Sequence, residues 1–531
     1  MNVSRTKPLL TLLLASTLLP ICATAQQPTA PSVTEIEAIR QQIQQLSEQL
    51  RAIEARQAAA SAAPTAVAPT TVAPTAASTS TSVETHGSVP PPAAVAATAV
   101  TATSAAAIPV ASNDPFTFAD FTWLTGSPRT IKPAFDSAFF TPEVRADINY
   151  TYDFRHPQDD TISGSSEVFR ANEVQVTQFG VGGDFHYDNV RARLMTQFGL
   201  YSQTTPRNDA SPARGQWNLA DAYRYLSEAY GGYHFNKMHG INVDAGIFMS
   251  YIGLFSYYQF DNWSYQPSYV SSNTPWFFNG VRVQFFPTKK LKIEPWFVNG
   301  WQSYGRFNSR PGIGGQILYR PNGSWSFVAN QYAVGRDTLG QGKRTRYHTD
   351  DSIQYKYLDR PYSFVSKAAM SLTGDLGCES GSGVSCFGNG KNGPKQSFVG
   401  FMAYNRLWFD HDRYALTLGG GKINNPGRYL VLLPPINGAT AASGTPYFTQ
   451  NPGDPFKAWD ASVTADWMPS QYITWRLEFN HRAANVPYFS GPGGVTPPGG
   501  NTGTPGSVVS GWSPDLRNSE NRATAAILVK F

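Results

Sequence analysis

The chain has 531 residues, 41% of them hydrophobic, 13% aromatic and only 15% charged, with 46 Gly, 39 Pro and three Cys. Its formal net charge is +5 and its mean hydropathy −0.31. So small a basic excess on so long a chain leaves no footprint for nucleic acid, and an average this polar excludes a bundle of membrane helices.

The first segment is a leader. Arg5 and Lys7 precede an apolar run from Leu9 to Leu19, and Ala23, Thr24 and Ala25 supply small residues for cleavage. Residues 1–25 therefore read as a secretory signal, with the mature chain starting at Gln26. Cys22 would suit a lipoprotein, but Ile21 before it is too bulky for that processing. Nothing after residue 25 offers about twenty consecutive apolar residues, the length a spanning helix needs.

Residues 33–57 carry Ile36, Ile39, Ile43, Leu46, Leu50 and Ile53 at spacings of 3 and 4. That is a heptad seam and predicts a short coiled-coil stalk, with Ile at both core positions of the first heptad leaning toward a trimer. Residues 58–112 are Ala, Pro, Thr, Ser and Val with almost no charge. They cannot bury a core and predict a tether with a relaxed reach of about 40 Å.

From 115 to 531 the pattern has a period of two. In "VRADINYTYDFR" (144–155) Val144, Ala146, Ile148, Tyr150, Tyr152 and Phe154 alternate with Arg145, Asp147, Asn149, Thr151, Asp153 and Arg155. "VRARLMTQFGL" (190–200) and "ITWRLEFNHR" (473–482) repeat the scheme, with charges on the polar face and aromatics closing the apolar one. Sixteen such segments follow one another, joined alternately by seven tight turns and eight long polar or Gly/Pro-rich loops. Short turns on one rim and long loops on the other predict an all-β fold, a transmembrane antiparallel barrel of sixteen strands. Termini would lie on the periplasmic side of a bacterial outer membrane and long loops outside. The segment 172–186 has a register break near Gln178, and 228–236 and 349–358 are weak. The final "ATAAILVKF" ends on Phe531, the form of an assembly signal read by barrel-assembly machinery.

"DFTWLTGSPR" (120–129), "SEAYGGYHF" (227–235), the run from Ile241 to Trp301 and the terminal Phe resemble the beta-barrel porin-2, OmpL-like family. The resemblance covers most of 115–531 and implies an outer-membrane porin-like barrel, without naming a solute.

A barrel this wide encloses a lumen that its own wall side chains do not fill. The third long loop, 251–275, holds eight aromatic residues and Asp261. By position it would fold inward as a constriction, with Tyr257, Tyr258, Asp261, Trp263 and Tyr265 facing solute; the alternative is an aromatic rim against neighbouring protomers or lipopolysaccharide. Arg145, Asp147, Arg191, Arg193, Arg282, Lys292, Glu294, Arg476, Glu478 and Arg522 would line the pore. On the seven strands with clean faces the polar side carries ten basic and seven acidic residues, which predicts a mild preference for anions. Arg191 and Arg193, with no acid between them, would contribute most.

Cys378 and Cys386, the cysteines left after the leader, should pair within the sixth long loop, "GCESGSGVSC". Catalytic motifs are lacking. His348 near Asp350 and Asp351, and His411 between Asp410 and Asp412, read as ordinary strand-end and turn residues. "GQGKRTR" (340–346) lacks phosphate-loop spacing and reads as a solvated basic patch. No catalytic residue, metal or cofactor is expected. The expected function is a passive, trimeric pore for small hydrophilic solutes, embedded in lipid and lipopolysaccharide. The other candidate is a structural or adhesive barrel tethered through its stalk.

Overall fold

The computed structural model describes residues 114–206, 209, 211–306, 308–388, 393–427, 429 and 453–531, together with Gln44 and Glu48, which are helical and exposed. The leader 1–25, the seam residues Ile36, Ile39, Ile43, Leu46, Leu50 and Ile53, and the linker 58–112 lie outside the described residues.

The strands are β1 (Phe140–Asp153), β2 (Val174–Tyr187), β3 (Val190–Thr196), β4 (Leu226–Phe235), β5 (Ile241–Met249), β6 (Phe277–Thr288), β7 (Leu291–Val298), β8 (Gly312–Tyr319) and β9 (Trp325–Gly335). They continue as β10 (Thr345–Asp359), β11 (Val365–Ser380), β12 (Ser397–Phe409), β13 (Tyr414–Asn424), β14 (Lys457–Ser470) and β15 (Ile473–Ala484). A two-residue pair follows, β16 (Phe489–Ser490) with β17 (Leu516–Arg517), and then β18 (Ser519–Lys530). β1–β15 and β18 close into one antiparallel barrel of sixteen strands, each paired with its neighbour in sequence. β18 shuts the ring between β15 and β1. The terminal Phe531 completes the seam: its amide donates to the Val144 carbonyl at 3.0 Å.

The alternation sets which way each side chain points. Tyr150, Trp459, Trp467, Trp475, Leu477 and Phe479 are exposed on the outer surface. Their neighbours Asn149, Thr151, Asp460, Asp466, Arg476 and Glu478 are buried inside. An outer surface of exposed large apolar side chains with a polar interior inverts a soluble protein, as lipid demands. Tight turns use residues that tolerate positive φ. Asp188 and Asn189 (φ 48° and 67°) make the two-residue turn between β2 and β3, whose twist matches the flanking strands. Asp410, His411 and Asp412 (φ 49°, 55° and 65°) turn β12 into β13, so His411 serves the turn.

The expected break in β2 is a bulge. Asp147 pairs with Gln178 but Ile148 with Val176, leaving Thr177 over. The extra residue turns both Thr177 and Gln178 into the lumen, where Asn149 Nδ2 donates to Thr177 Oγ1 at 2.6 Å. The β10–β11 hairpin extends further than its alternation indicates, to the pairing Thr345↔Ser380. Three expectations change with it. Arg344 and Arg346 are buried against Glu379, and Arg346 also against Asp337, so this is no solvated patch. His348 sits within β10, its Nε2 2.7 Å from Asp375. Cys378 belongs to β11, so its disulfide with Cys386 (Cα–Cα 4.9 Å) joins a strand end to the sixth loop instead of lying inside that loop.

Candidate functional site in the lumen

The loop between β5 and β6 lies inside the barrel. Tyr257, Tyr258, Asp261, Trp263 and Tyr265 are all buried, and their partners are inward-facing wall residues. Arg145 Nη1 donates to Asp261 at 3.1 Å, and its guanidinium lies 4.0 Å from the centre of the Tyr258 ring. Tyr258 donates to Glu228 at 2.8 Å, and Tyr265 to Asp147 at 2.8 Å. Burial pushes the Asp261 carboxyl above the ordinary carboxylate range, against the pull of Arg145.

The tightest clamps come from β12, β14 and β15. Arg476 donates to three loop carbonyls, those of Gln259 (3.2 Å), Asn262 (2.6 Å) and Ser264 (2.9 Å), while Asp466 holds its other edge at 2.7 and 2.9 Å. Arg406 reaches the Trp263 carbonyl at 3.1 Å and Asp466 at 2.7 Å. Glu478 accepts the amides of Tyr265 (2.6 Å) and Gln266 (2.8 Å). Asp460 accepts from the Ser268 hydroxyl (2.7 Å) and the Tyr269 amide (3.0 Å) at the head of a helical turn, Tyr269–Ser272. That turn fits because the wall is glycine there. A Cβ on Gly421 would stand 2.3 Å from Ser268 Oγ, and one on Gly400 3.0 Å from Val270 Cγ2. Arg522 pairs with Glu520 at 2.7 Å and reaches Gln266 at 3.4 Å. Charged groups taken out of water need such partners.

A second segment, before β1, supports the loop from the short-turn side. The Phe116 amide donates to Lys289 O in the β6–β7 turn (2.8 Å), and Trp123 Nε1 to Gly323 O in the β8–β9 turn (3.1 Å). Arg129 Nη1 donates to Ser470 O at the end of β14, where it turns into β15 (2.6 Å). The first and last anchors stand eight strands apart in a ring of sixteen, so residues 116–129 cross that mouth along a diameter. On the way the loop rests on them: Trp263 donates through its ring to Trp123 O (3.0 Å) and through its amide to Thr125 Oγ1 (3.1 Å). Gly126, at φ +76°, passes so close that a Cβ would be 2.2 Å from Leu254 O.

All the expected wall residues face inward, but they do different work. Arg145, Asp147, Arg476, Glu478 and Arg522 are buried under the loop and do not meet an open channel. Arg193 is not a free positive charge: Glu228 (2.7 Å), Asp184 (2.9 Å) and Glu143 (3.3 Å) surround it. Arg191 and Arg282 share Asp244, at 3.3 and 3.0 Å, and Lys292 pairs with Glu294. The expected basic excess also disappears. Strands whose faces the alternation left unassigned add Asp184, Glu228, Asp244, Asp350, Asp375 and Glu379, and β1 adds Glu143, against Arg346, Lys356, Lys367 and Arg406 among the described residues.

Arg406, Glu143, Arg129 and the 116–129 crossing escaped the sequence reading. Arg406 lies on an inward row with Met402, Tyr404 and Trp408, which has no polar signature to mark it as luminal. Among the described residues no cluster of three or more His, Cys, Asp or Glu is placed to hold a metal ion.

What the loop leaves free is a cavity of about 310 Å³ on the β6–β10 side, lined by Arg282, Lys292, Glu294, Gln316, Arg320 and Gln354 and bounded by Thr125–Ser127.

Residues 145–531 match the family described as "Putative beta-barrel porin-2, OmpL-like". No curated protein matches the chain in sequence. Similar solved structures include the anion-selective porin from Comamonas acidovorans, at 10% identity and TM-score 0.44 over 74% of this chain and 99% of that one. The trimer form of OmpT, an outer membrane protein of Vibrio cholerae, matches at 8% identity and TM-score 0.42 over 75% and 100%. The outer membrane channel DcaP of Acinetobacter baumannii matches at 12% and 0.40 over 77% and 100%.

Proposed function

The chain belongs to the beta-barrel porin-2, OmpL-like family, and from that premise we propose that it is an outer-membrane channel for passive diffusion of small hydrophilic solutes. One observation carries this reading: a polar lumen crossed by an inward loop that fills the β12–β15 side and leaves a polar cavity on the other. Tyr257, Tyr258, Asp261, Trp263 and Tyr265 then act as the structural body of the constriction, and the cavity side is the path for solute. The short turns and both termini of the barrel strands would face the periplasm, and the long loops the exterior. The working unit would be a homotrimer. Replacing Ile43 and Leu46 by Asp should shift native mass toward monomer while each barrel stays folded.

With inward acids and bases nearly matched, the channel should select ions weakly. Planar-bilayer recording tests the reading: stepwise single-channel conductance in KCl is expected. A barrel that inserts but never conducts would leave the tethering role as the better account.

A further inference from the structure

Most cations inside this barrel have a carboxylate beside them. Arg320 does not. It follows β8 directly, at the edge of the cavity, and among the described residues no carboxylate lies within ion-pair distance and none accepts a hydrogen bond from its guanidinium. Its Nε is buried without a partner. Among the described residues two rings hold it, with the guanidinium carbon 4.9 Å from the centre of Phe116 and 4.7 Å from that of Phe121, both on the segment that crosses the mouth. Burial lowers its pKa to about 10, with no acid nearby to offset the loss of water. It therefore stays charged at neutral pH.

The rest of the lining fits the same need. Arg282 and Lys292 stand in the cavity wall beside one acid, Glu294, so the lining is basic although the whole wall is not. Gln316 and Gln354 supply amide groups, and Ser326 a hydroxyl. A volume of about 310 Å³ sits at the small end of ligand pockets. A partly buried cation without a counter-charge costs free energy that a bound anion recovers.

We propose that this cavity is a binding site for a small polyhydroxylated organic acid of sugar-acid size, its carboxylate held by the Arg320 guanidinium and its hydroxyls by the glutamine amides. This deepens the porin reading and rests on it for the solute's route. The cation–π contacts present the guanidinium edge to the solute in a fixed orientation.

Equilibrium binding of labelled gluconate to the full-length protein in detergent tests the site without requiring conductance. Saturable binding is expected, with glucose, its uncharged counterpart, at least about tenfold weaker. Arg320→Gln should weaken gluconate about tenfold and leave glucose unchanged, and Arg320→Lys should recover part of the loss. Arg320→Gln protein is first checked for the heat-dependent gel shift of a folded barrel. If it does not fold, wild-type competition between gluconate and glucose decides. Gluconate binding no better than glucose, or unchanged in folded Arg320→Gln, overturns the site. Loss of KCl conductance in bilayers would instead overturn the porin reading, so the two failures are separable.

Discussion

Two arcs of one wall use the same residue type in opposite ways. On β12, β15 and β1 the inward arginines Arg406, Arg476, Arg482 and Arg145 are engaged: each bonds a carboxylate, a loop or wall carbonyl, or both, and each is buried. On the β6–β8 arc, Arg282 and Lys292 have one acid each and Arg320 none. The difference is whether the β5–β6 loop lies on the arc. Where it does, backbone carbonyls and amides satisfy the wall charges and the charges become clamps. Where it does not, charge stays available to solute. An inward arginine is therefore a structural or a functional residue according to what covers it, and alternation along a strand cannot tell the two apart.

The largest effect should come from removing a clamp. Arg476→Ala deletes the three loop bonds at once and leaves Asp466 with Arg406 alone. Breaking a buried, saturated charge of this kind costs about 3–5 kcal/mol. The loss falls on loop docking, because the β14–β15 ladder does not depend on this side chain. Single-channel conductance should rise several-fold while the barrel keeps its gel shift. Unchanged conductance would show that the loop does not set the width. Arg282→Ala, on the open arc, should change conductance far less.

The Cys378–Cys386 link should come next. Closing so short a loop contributes about 2–3 kcal/mol in the chain-entropy account, all of it local to the outer end of β11. Reduction should speed amide exchange near 376–386 and leave β14–β15 amides unaffected. Two reactive thiols in the unreduced, denatured protein would refute the link itself.

A third effect is set by pH. Glu167, in the first long loop, hydrogen-bonds Gln266 and Ser166, and burial raises its carboxyl to about 6. The docked form binds the proton more tightly than the released one. Docking is therefore firmest below about pH 4.5 and weakens as pH rises through about 6, by about 2 kcal/mol in all. Exchange of the 264–272 amides, corrected for intrinsic rates, should accelerate across that window in the wild type. Glu167→Gln should flatten the dependence; a profile still sloping in that variant would place the titration elsewhere.

The barrel was legible because period two, tight turns and long loops are local signals. Asp188–Asn189 and Asp410–Asp412 mark turns by chemistry, and the alternation from Ser519 to Lys530 marks the closing strand. The lumen was legible only as far as its faces. That Arg145 and Arg476 point inward follows from alternation; that they bind a loop more than a hundred residues away in sequence does not. The crossing segment at 116–129 has no period at all, and its order comes entirely from tertiary partners such as Lys289, Gly323 and Ser470. Charge balance failed for a related reason. Acids on β2, β4 and β5 sit among glycines and aromatics, as Glu228 does in "SEAYGGYHF", and their strands show no clean polar face.

The smallest expected effect is on ion selectivity, and it bears on the same contrast of arcs. If Arg191 and Arg193 were free charges, replacing both by Ala would move the reversal potential under a KCl gradient markedly toward cations. The geometry makes them partners of Asp244, Glu228, Asp184 and Glu143, the last three all on Arg193. Opposite charges at about 3 Å cancel at distances an ion explores, and screening over about 10 Å at 0.1 M salt removes most of the remainder. The wild type should therefore reverse close to zero, and Arg191→Ala, Arg193→Ala should shift it by only a few millivolts, from the carboxylates uncovered. Arg320→Gln should shift it at least as much with one substitution, because no carboxylate masks that charge. A double variant that outweighs Arg320→Gln would mean that the β3 pairs open in the conducting state, and the division between engaged and available arginines would have to be redrawn at β3.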